Sequence, residues 1–208
     1  TNAAKDAKKK HNIINDYFSK EVAKKIKLKY GIPSIIVFTN VFAHISNLNQ
    51  LIQNLKILFG EETIIVIENH YLGSVIDKFQ FDTFYHEHPR TYSYDSFVHM
   101  AKTLGADVLD VQFPSRYGGN IRVFLGKGGN HQREDSFDKN DLVLRESNFL
   151  DSFIALRDNI EIWRSRKSQV LRKQYEKYGK IRAKAFPGRS AILVKLLGLD
   201  ESIISAVY

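Results

Sequence analysis

The chain has 208 residues, 43% apolar and 12% aromatic, enough for one generous domain, or one domain and part of another, with a real core. Cysteine is absent, which excludes disulfides and thiolate metal sites and fits a reducing, cytoplasmic setting. No apolar run approaches the ~20 residues of a membrane span, no basic-then-apolar leader opens the chain, and the net charge of +8 raises nucleic acid as a partner.

In chain order, Lys5–Lys10 reads as the tail of a basic helix and Ile13–Phe18 as a short strand or strand-like entry. Ser19 can cap a helix running to about Tyr30, with Val22, Ala23 and Ile26 at helical spacing, and Gly31 and Pro33 stop it. Ser34–Thr39 (SIIVFT) is a continuous apolar run, as expected of a parallel strand covered on both faces. Ser46 can cap the next helix, whose Leu48, Leu51, Ile52, Leu55 and Leu58 form one stripe. Thr63–Ile67 (TIIVI) is a second buried strand. Two strand–helix–strand steps with short links predict a parallel sheet with right-handed crossovers.

Beyond Tyr71 the pattern changes. An aromatic and histidine-rich stretch precedes a helix over Tyr94–Leu104, with Phe97, Met100, Ala101 and Leu104 on one side. Ala106–Phe113 and Asn120–Leu125, joined by PSRYGG, read as an antiparallel pair at the sheet's edge. Gly126–Asn140 reads as a linker and Asp141–Lys177 as one long charged helix. KIRAKAF, a Pro-Gly turn, SAILVKLLG and ESIISAVY then open a second strand–helix–strand unit.

The charge is segregated. Residues 1–30 carry net +6 and residues 131–208 net +4, whereas 31–130 carry net −2 and five of the seven histidines. That distribution argues against nucleic acid and leaves the basic flanks as a solvated face or an attractor of an anionic substrate. In parallel α/β sheets ligands sit beyond the carboxyl ends of strands. There SIIVFT runs into Asn40-Val41-Phe42-Ala43-His44, and TIIVI into Glu68-Asn69-His70-Tyr71. The sharper cluster is Tyr85-His86-Glu87-His88. In extended geometry Tyr85 and Glu87 would point one way and His86 and His88 the other. A carboxylate beside an imidazole suits a general base near neutral pH. A zinc site on His86 and His88 lacks a third ligand at recognisable spacing, and an exposed polar loop with chance histidines is the bland alternative. Gly118-Gly119 permits either a close ligand approach or a tight turn.

Together, NVFAHI (40–45), FDTFYHEH (81–88) and a Gly-Gly followed by NIRVF (120–124) resemble the S-adenosylmethionine-dependent sugar C-methyltransferases, which act on nucleotide-linked deoxysugars. The resemblance extends to DYFSKEVA (16–23) and FPGRSAILVKLLGLDESII (186–204). It implies a fragment, without an N-terminal zinc domain or the cofactor's Gly-rich loop. Residues 1–129 would be the C-terminal part of a Rossmann-like methyltransferase sheet with an antiparallel edge pair. Residues 130–178 would be a linker and long helix, and 179–208 the start of a second Rossmann-like unit. It also implies S-adenosylmethionine as cofactor, a nucleotide-linked sugar as substrate, and weak or no cofactor binding by this chain alone.

By the same resemblance His88 would be the base that removes a proton next to a sugar ketone. Tyr85 and Glu87 would position substrate and tune that base, and His44 would sit near the developing enolate oxygen. Asn40 and Val41 would lie at the cofactor's adenosyl-methionine end, and Tyr71, Gly118, Gly119 and Asn120 would contact substrate. The family commonly has His-Gly-Gly-Ser where this chain has Tyr117-Gly118-Gly119-Asn120, which bears on which sugar is accepted. Two other readings stay open: a non-catalytic basic module for anions or nucleotides, and a zinc hydrolase on His86 and His88. Sugar, carbon and oligomeric state are not readable.

Overall fold

A computed structural model describes residues 2–129, 138–184 and 188–208. Helix α1 (Asn2–Ala7) is followed by a turn and chain without regular structure, so Ile13–Phe18 joins no sheet, and Phe18 O accepts instead from Asn54 Nδ2 at 3.2 Å. Helix α2 (Lys20–Tyr30) starts where Ser19 Oγ accepts from Val22 N at 3.2 Å and ends at Gly31, whose φ of 80° closes it. Strand β1 (Ile35–Thr39) leads through a 3-10 turn, Phe42–His44, to helix α3 (Leu48–Lys56). The cap of α3 is Asn47 rather than Ser46, its Oδ1 accepting from Gln50 N at 3.0 Å.

Strand β2 (Ile64–His70) runs beyond Ile67 through three polar residues. Helix α4 (Leu72–Asp77), the aromatic and histidine-rich loop and helix α5 (Tyr94–Leu104) lead to β3 (Asp107–Gln112) and β4 (Asn120–Gly126). The sheet order is β1-β2-β4-β3. β1 and β2 are parallel, while β4 is antiparallel to both its neighbours. The protein is therefore α/β with an antiparallel edge pair, as expected, but it holds one parallel strand–helix–strand step here rather than two. The extra length of β2 follows from its pairing, because β4 continues the ladder to the Asn120–His70 pair.

One face of this sheet is the core. Ile65, Ile67, Ile121, Val123 and Leu125 pack against Leu51, Ile52 and Leu55 of α3 and Phe97, Met100, Ala101 and Leu104 of α5. Each large aliphatic or aromatic side chain buried there contributes roughly 1.5–3 kcal/mol. The other face is open along β1, where Ile35 and Val37 remain 61% and 60% exposed. The expectation of a strand covered on both faces does not hold for β1.

The long charged helix is two: α6 (Lys139–Ser147) and α7 (Phe149–Tyr178). Asn148 breaks them, with ψ near 6° and its Nδ2 donating to Leu144 O at 3.2 Å. Beyond α7, strand β5 (Ile181–Ala183), helix α8 (Ser190–Leu197) and strand β6 (Ile204–Val207) form the second unit, with β5 and β6 parallel. The centre of the expected linker, 130–137, and the Ala185–Pro187 part of the expected strand and turn lie outside the described residues. No helix among the described residues is long and apolar enough to cross a membrane.

Candidate functional site

Polar groups gather at the carboxyl ends of β1 and β2 for a local reason. Asn40 ends β1 in the left-handed region, φ 53°, which asparagine tolerates better than most residues. The chain therefore turns at once, Asn40 N donates to Glu68 O at 2.7 Å, and Val41 is left exposed at the rim.

Glu68 is 2% exposed and fully engaged. It accepts from Arg116 Nε, from Asn120 Nδ2 at 2.8 Å and from Arg122 Nε at 2.8 Å. The Arg116 guanidinium, aided by Asn120 and Arg122 and opposed by burial, pushes its carboxyl down to about 2. Asn120 also approaches Asn40, Nδ2 to Oδ1 at 3.4 Å. The expected cofactor-side Asn40 and substrate-side Asn120 thus meet over one buried carboxylate.

The histidine loop is anchored to the other strand end. Arg90 Nη1 donates to Ile45 O at 2.5 Å and Tyr92 Oη to Phe42 O at 2.9 Å. Tyr92 stacks on Phe97 with ring centroids 5.2 Å apart, and burial pushes its phenol up to about 12. These ties bring His88 to His44, ring centroids 4.7 Å apart. Tyr85 lies 4.8 Å from His88 by the same measure, and its Oη donates to Glu87 Oε2 at 3.1 Å. Burial and that hydrogen bond raise the Tyr85 phenol.

The loop is a turn, not an extended segment, because His88 N donates to Tyr85 O at 2.9 Å. Tyr85 therefore packs on His88 instead of facing away from it, and the His86 side chain is 77% exposed. Among the described residues no group of three or more His, Asp or Glu is placed to hold a metal ion.

His88 is half-buried. Burial first, then the neighbouring charges of His44, His70 and Arg189, hold its pKa below the ordinary imidazole value, with Glu87 pulling the other way. Near neutral pH the ring is thus an uncharged base. His70 is lowered as well, by burial and then Arg189, with the Tyr117 backbone and the Gln80 amide opposing.

The remaining expected residues fall differently. Tyr71 is fully buried and donates to Glu146 Oε1 at 3.0 Å; the same carboxylate accepts from Tyr94 N at 2.6 Å, so this phenol anchors α6 beside the start of α5. Gly118 and Gly119 have φ of 88° and 130°. A Cβ there would meet Gln80 Nε2 at 2.0 Å and Ser74 Oγ at 2.4 Å, so both glycines make room for protein groups.

Two groups at the site, Gln80 and Arg189, had no signal of their own in the sequence, and His70 was marked by its place at the end of the second apolar strand. Arg189 precedes α8, and its Nη2 bonds Asp82 Oδ1 at 2.9 Å. Its neighbour Gly188 packs on Tyr85, where a Cβ would lie 3.0 Å from Cε2. The second strand–helix–strand unit therefore supplies a cation to the histidine loop.

No protein-family model matches the chain. One curated protein, "C-methyltransferase NovU" from Streptomyces niveus, is 29% identical over 107 residues, 51% of this chain and 26% of that protein. The matched stretch is thus about a quarter of the relative's length.

Proposed function

We propose that this chain carries the base-bearing part of an S-adenosylmethionine-dependent methyltransferase that methylates a carbon next to a ketone in a nucleotide-linked sugar. The observation that supports it most is the half-buried, uncharged His88 held against His44 and Tyr85 at the carboxyl end of the sheet. The similarity to a C-methyltransferase supports methyl transfer to carbon over other chemistries.

In this reading His88 takes the proton from the carbon beside the ketone, and the electron pair moves into an enolate. Glu87 stabilises the imidazolium so formed, and Tyr85 packs on the ring and holds Glu87. His44 and Arg189 lie where developing negative charge on oxygen is favoured. Asn40 and Val41 offer one wall for the cofactor. Among the described residues Glu68, the buried acid at this strand end, is already bound to two arginines, so it offers nothing to the cofactor's hydroxyls. When bound, S-adenosylmethionine supplies the electrophilic methyl group.

The test follows solvent deuterium into a nucleotide-linked 4-keto sugar, in the native protein and in His88→Ala. Exchange that disappears in His88→Ala supports the base assignment. Exchange unaffected by His88→Ala, or absent in both proteins, overturns it.

A further inference from the structure

The histidine loop is held from two sides. On the sheet side Arg90 and Tyr92 tie it to Ile45 O and Phe42 O. On the other side it meets α7 and the second strand–helix–strand unit. Phe81 packs edge-on against Trp163 with ring centroids 5.0 Å apart, and Phe84 lies 6.4 Å from Phe153 by the same measure. Gly188 backs onto Tyr85 so closely that a Cβ there would lie 3.0 Å from Cε2. Ring contacts tolerate a range of offsets and tilts, so they hold the two surfaces together without fixing one placement. Among the described residues the directional link from this side is ionic: Arg189 Nη2 donates to Asp82 Oδ1 at 2.9 Å.

Most ion pairs at a protein surface contribute little. Three features set this one apart. Its side chains are 40% and 30% exposed, so water screens their attraction only in part. It joins two units across 107 residues of chain, where no local turn would otherwise bring the partners together. It also reaches the candidate base in short steps. Asp82 lies in the 3-10 turn Phe81–Thr83, three residues before Tyr85. Tyr85 touches Gly188 on one side and the His88 ring on the other, and it holds Glu87. The groups acting on His88 are Tyr85, His44, His70, Arg189 and Glu87. Of these, Arg189 alone comes from the second unit, and Asp82 is what fixes its place.

We infer that Asp82 and Arg189 are positioning residues: their ion pair latches the second unit onto the histidine loop and thereby seats Tyr85 and His88. The inference rests on the methyl-transfer reading for what His88 does once seated. Asp82 touches no reacting group in this role and acts through Arg189 and Tyr85. Gly188 completes the latch, since any side chain there would press on Tyr85 and hold the units apart. With the latch closed, His88 is shielded from water and has the Arg189 charge nearby, and both keep the ring uncharged. With it open, both influences weaken together.

The experiment is Asp82→Asn, with the His88 ring protons followed by NMR through a pH titration. Its sign decides between a latch and a bystander. Removing a carboxylate and nothing else takes away an attraction for imidazolium, so neighbouring histidines titrate lower. Opening the latch withdraws the Arg189 charge and lets water in, so His88 titrates higher. The expected result is the higher value, with a return toward the native one in Asp82→Glu, which restores the carboxylate. The nuclear Overhauser contact between the Tyr85 ring and the Gly188 α-protons should also be lost in Asp82→Asn. Arg189→Gln, read by that same contact, serves if Asp82→Asn does not fold. A His88 titration that is lower or unchanged in Asp82→Asn overturns the proposal, as does a Tyr85–Gly188 contact kept in both variants. Deuterium exchange into the 4-keto sugar should slow roughly tenfold in Asp82→Asn, in turnover more than in apparent affinity. An open latch in Asp82→Asn with no exchange even in the native protein would leave the latch standing and remove the methyl-transfer reading. Equal exchange in both proteins with the contact kept would do the reverse.

Discussion

Two polar clusters sit two residues apart on the same face of β2, and they are built in opposite ways. Around Glu68 every strong demand is met: two guanidinium groups and an asparagine amide converge on a carboxylate that is almost wholly buried. Around His70 the contacts are weaker and opposed: the Tyr117 backbone and the Gln80 amide raise its pKa, while burial and Arg189, itself held by Asp82, lower it. Asn120 belongs to both, giving its Nδ2 to Glu68 and leaving its Oδ1 free. A satisfied buried network rigidifies. The Glu68 cluster is therefore the frame that fixes the strand ends, and His70 lies beside it.

The largest test of that contrast is Glu68→Gln. It removes the charge of a carboxyl that is 2% exposed and leaves Arg116 and Arg122, 47% and 33% exposed, with a neutral partner, which should cost about 3 kcal/mol, read from the midpoint of urea unfolding. A loss below about 1 kcal/mol would show that the cluster does not frame the site. Next comes Gly118→Ala. It forces a Cβ into the left-handed region at φ 88° and onto Gln80 Nε2, which should cost about 2 kcal/mol. Combining it with Gln80→Ala relieves the steric part and leaves the backbone strain. A double variant no more stable than the additive sum would place Gln80 away from Gly118.

The parts of the molecule that were legible in the sequence are those governed by local rules. Ser19 and Gly31 bound α2 because capping and a left-handed turn are decided within a few residues. The α5 span was legible because four apolar side chains recur at helical spacing. Ile13–Phe18 misled because apolar content makes a strand only where a partner edge exists. The α6–α7 break was hidden because one asparagine in a long polar helix carries little pattern. At the site, the density of His and aromatics marked the loop, and Asn40 and Asn120 did meet as one cluster. The turn at Tyr85–His88 was missed because alternation presumes extended backbone. Arg189 could not be assigned to the site: it lies about a hundred residues from His88, and only the docking of the second unit brings it there. One signal was present in FPGRS, a glycine directly before a basic residue, but it does not say which loop the glycine packs against.

A smaller effect separates the two clusters by pH. His70 and His88 have folded pKa values below the ordinary imidazole value, so the unfolded chain takes up their protons first. Their contribution to stability is present above pH ~6.5 and is lost as pH falls below it. Glu68 is also depressed, to about 2 from an unfolded value of 4.5, so its contribution persists through that first step and is lost only between those two values. Unfolding free energy followed against pH should therefore fall in two stages. The first stage should vanish in a His70→Gln, His88→Gln double variant while the second stays. A single fall near pH 4 in the native chain would mean the imidazoles are not held uncharged.

The smallest expected change in stability is that of Gln80→Met. The Gln80 amide raises the His70 pKa against burial and Arg189, so its removal gives up one neutral interaction and should cost about 1 kcal/mol, read from urea unfolding. A comparable loss at the Glu68 cluster costs several times as much, because there a buried charge is left without its partner. His70 should titrate lower still in the variant, and an unchanged His70 titration would place Gln80 away from the ring.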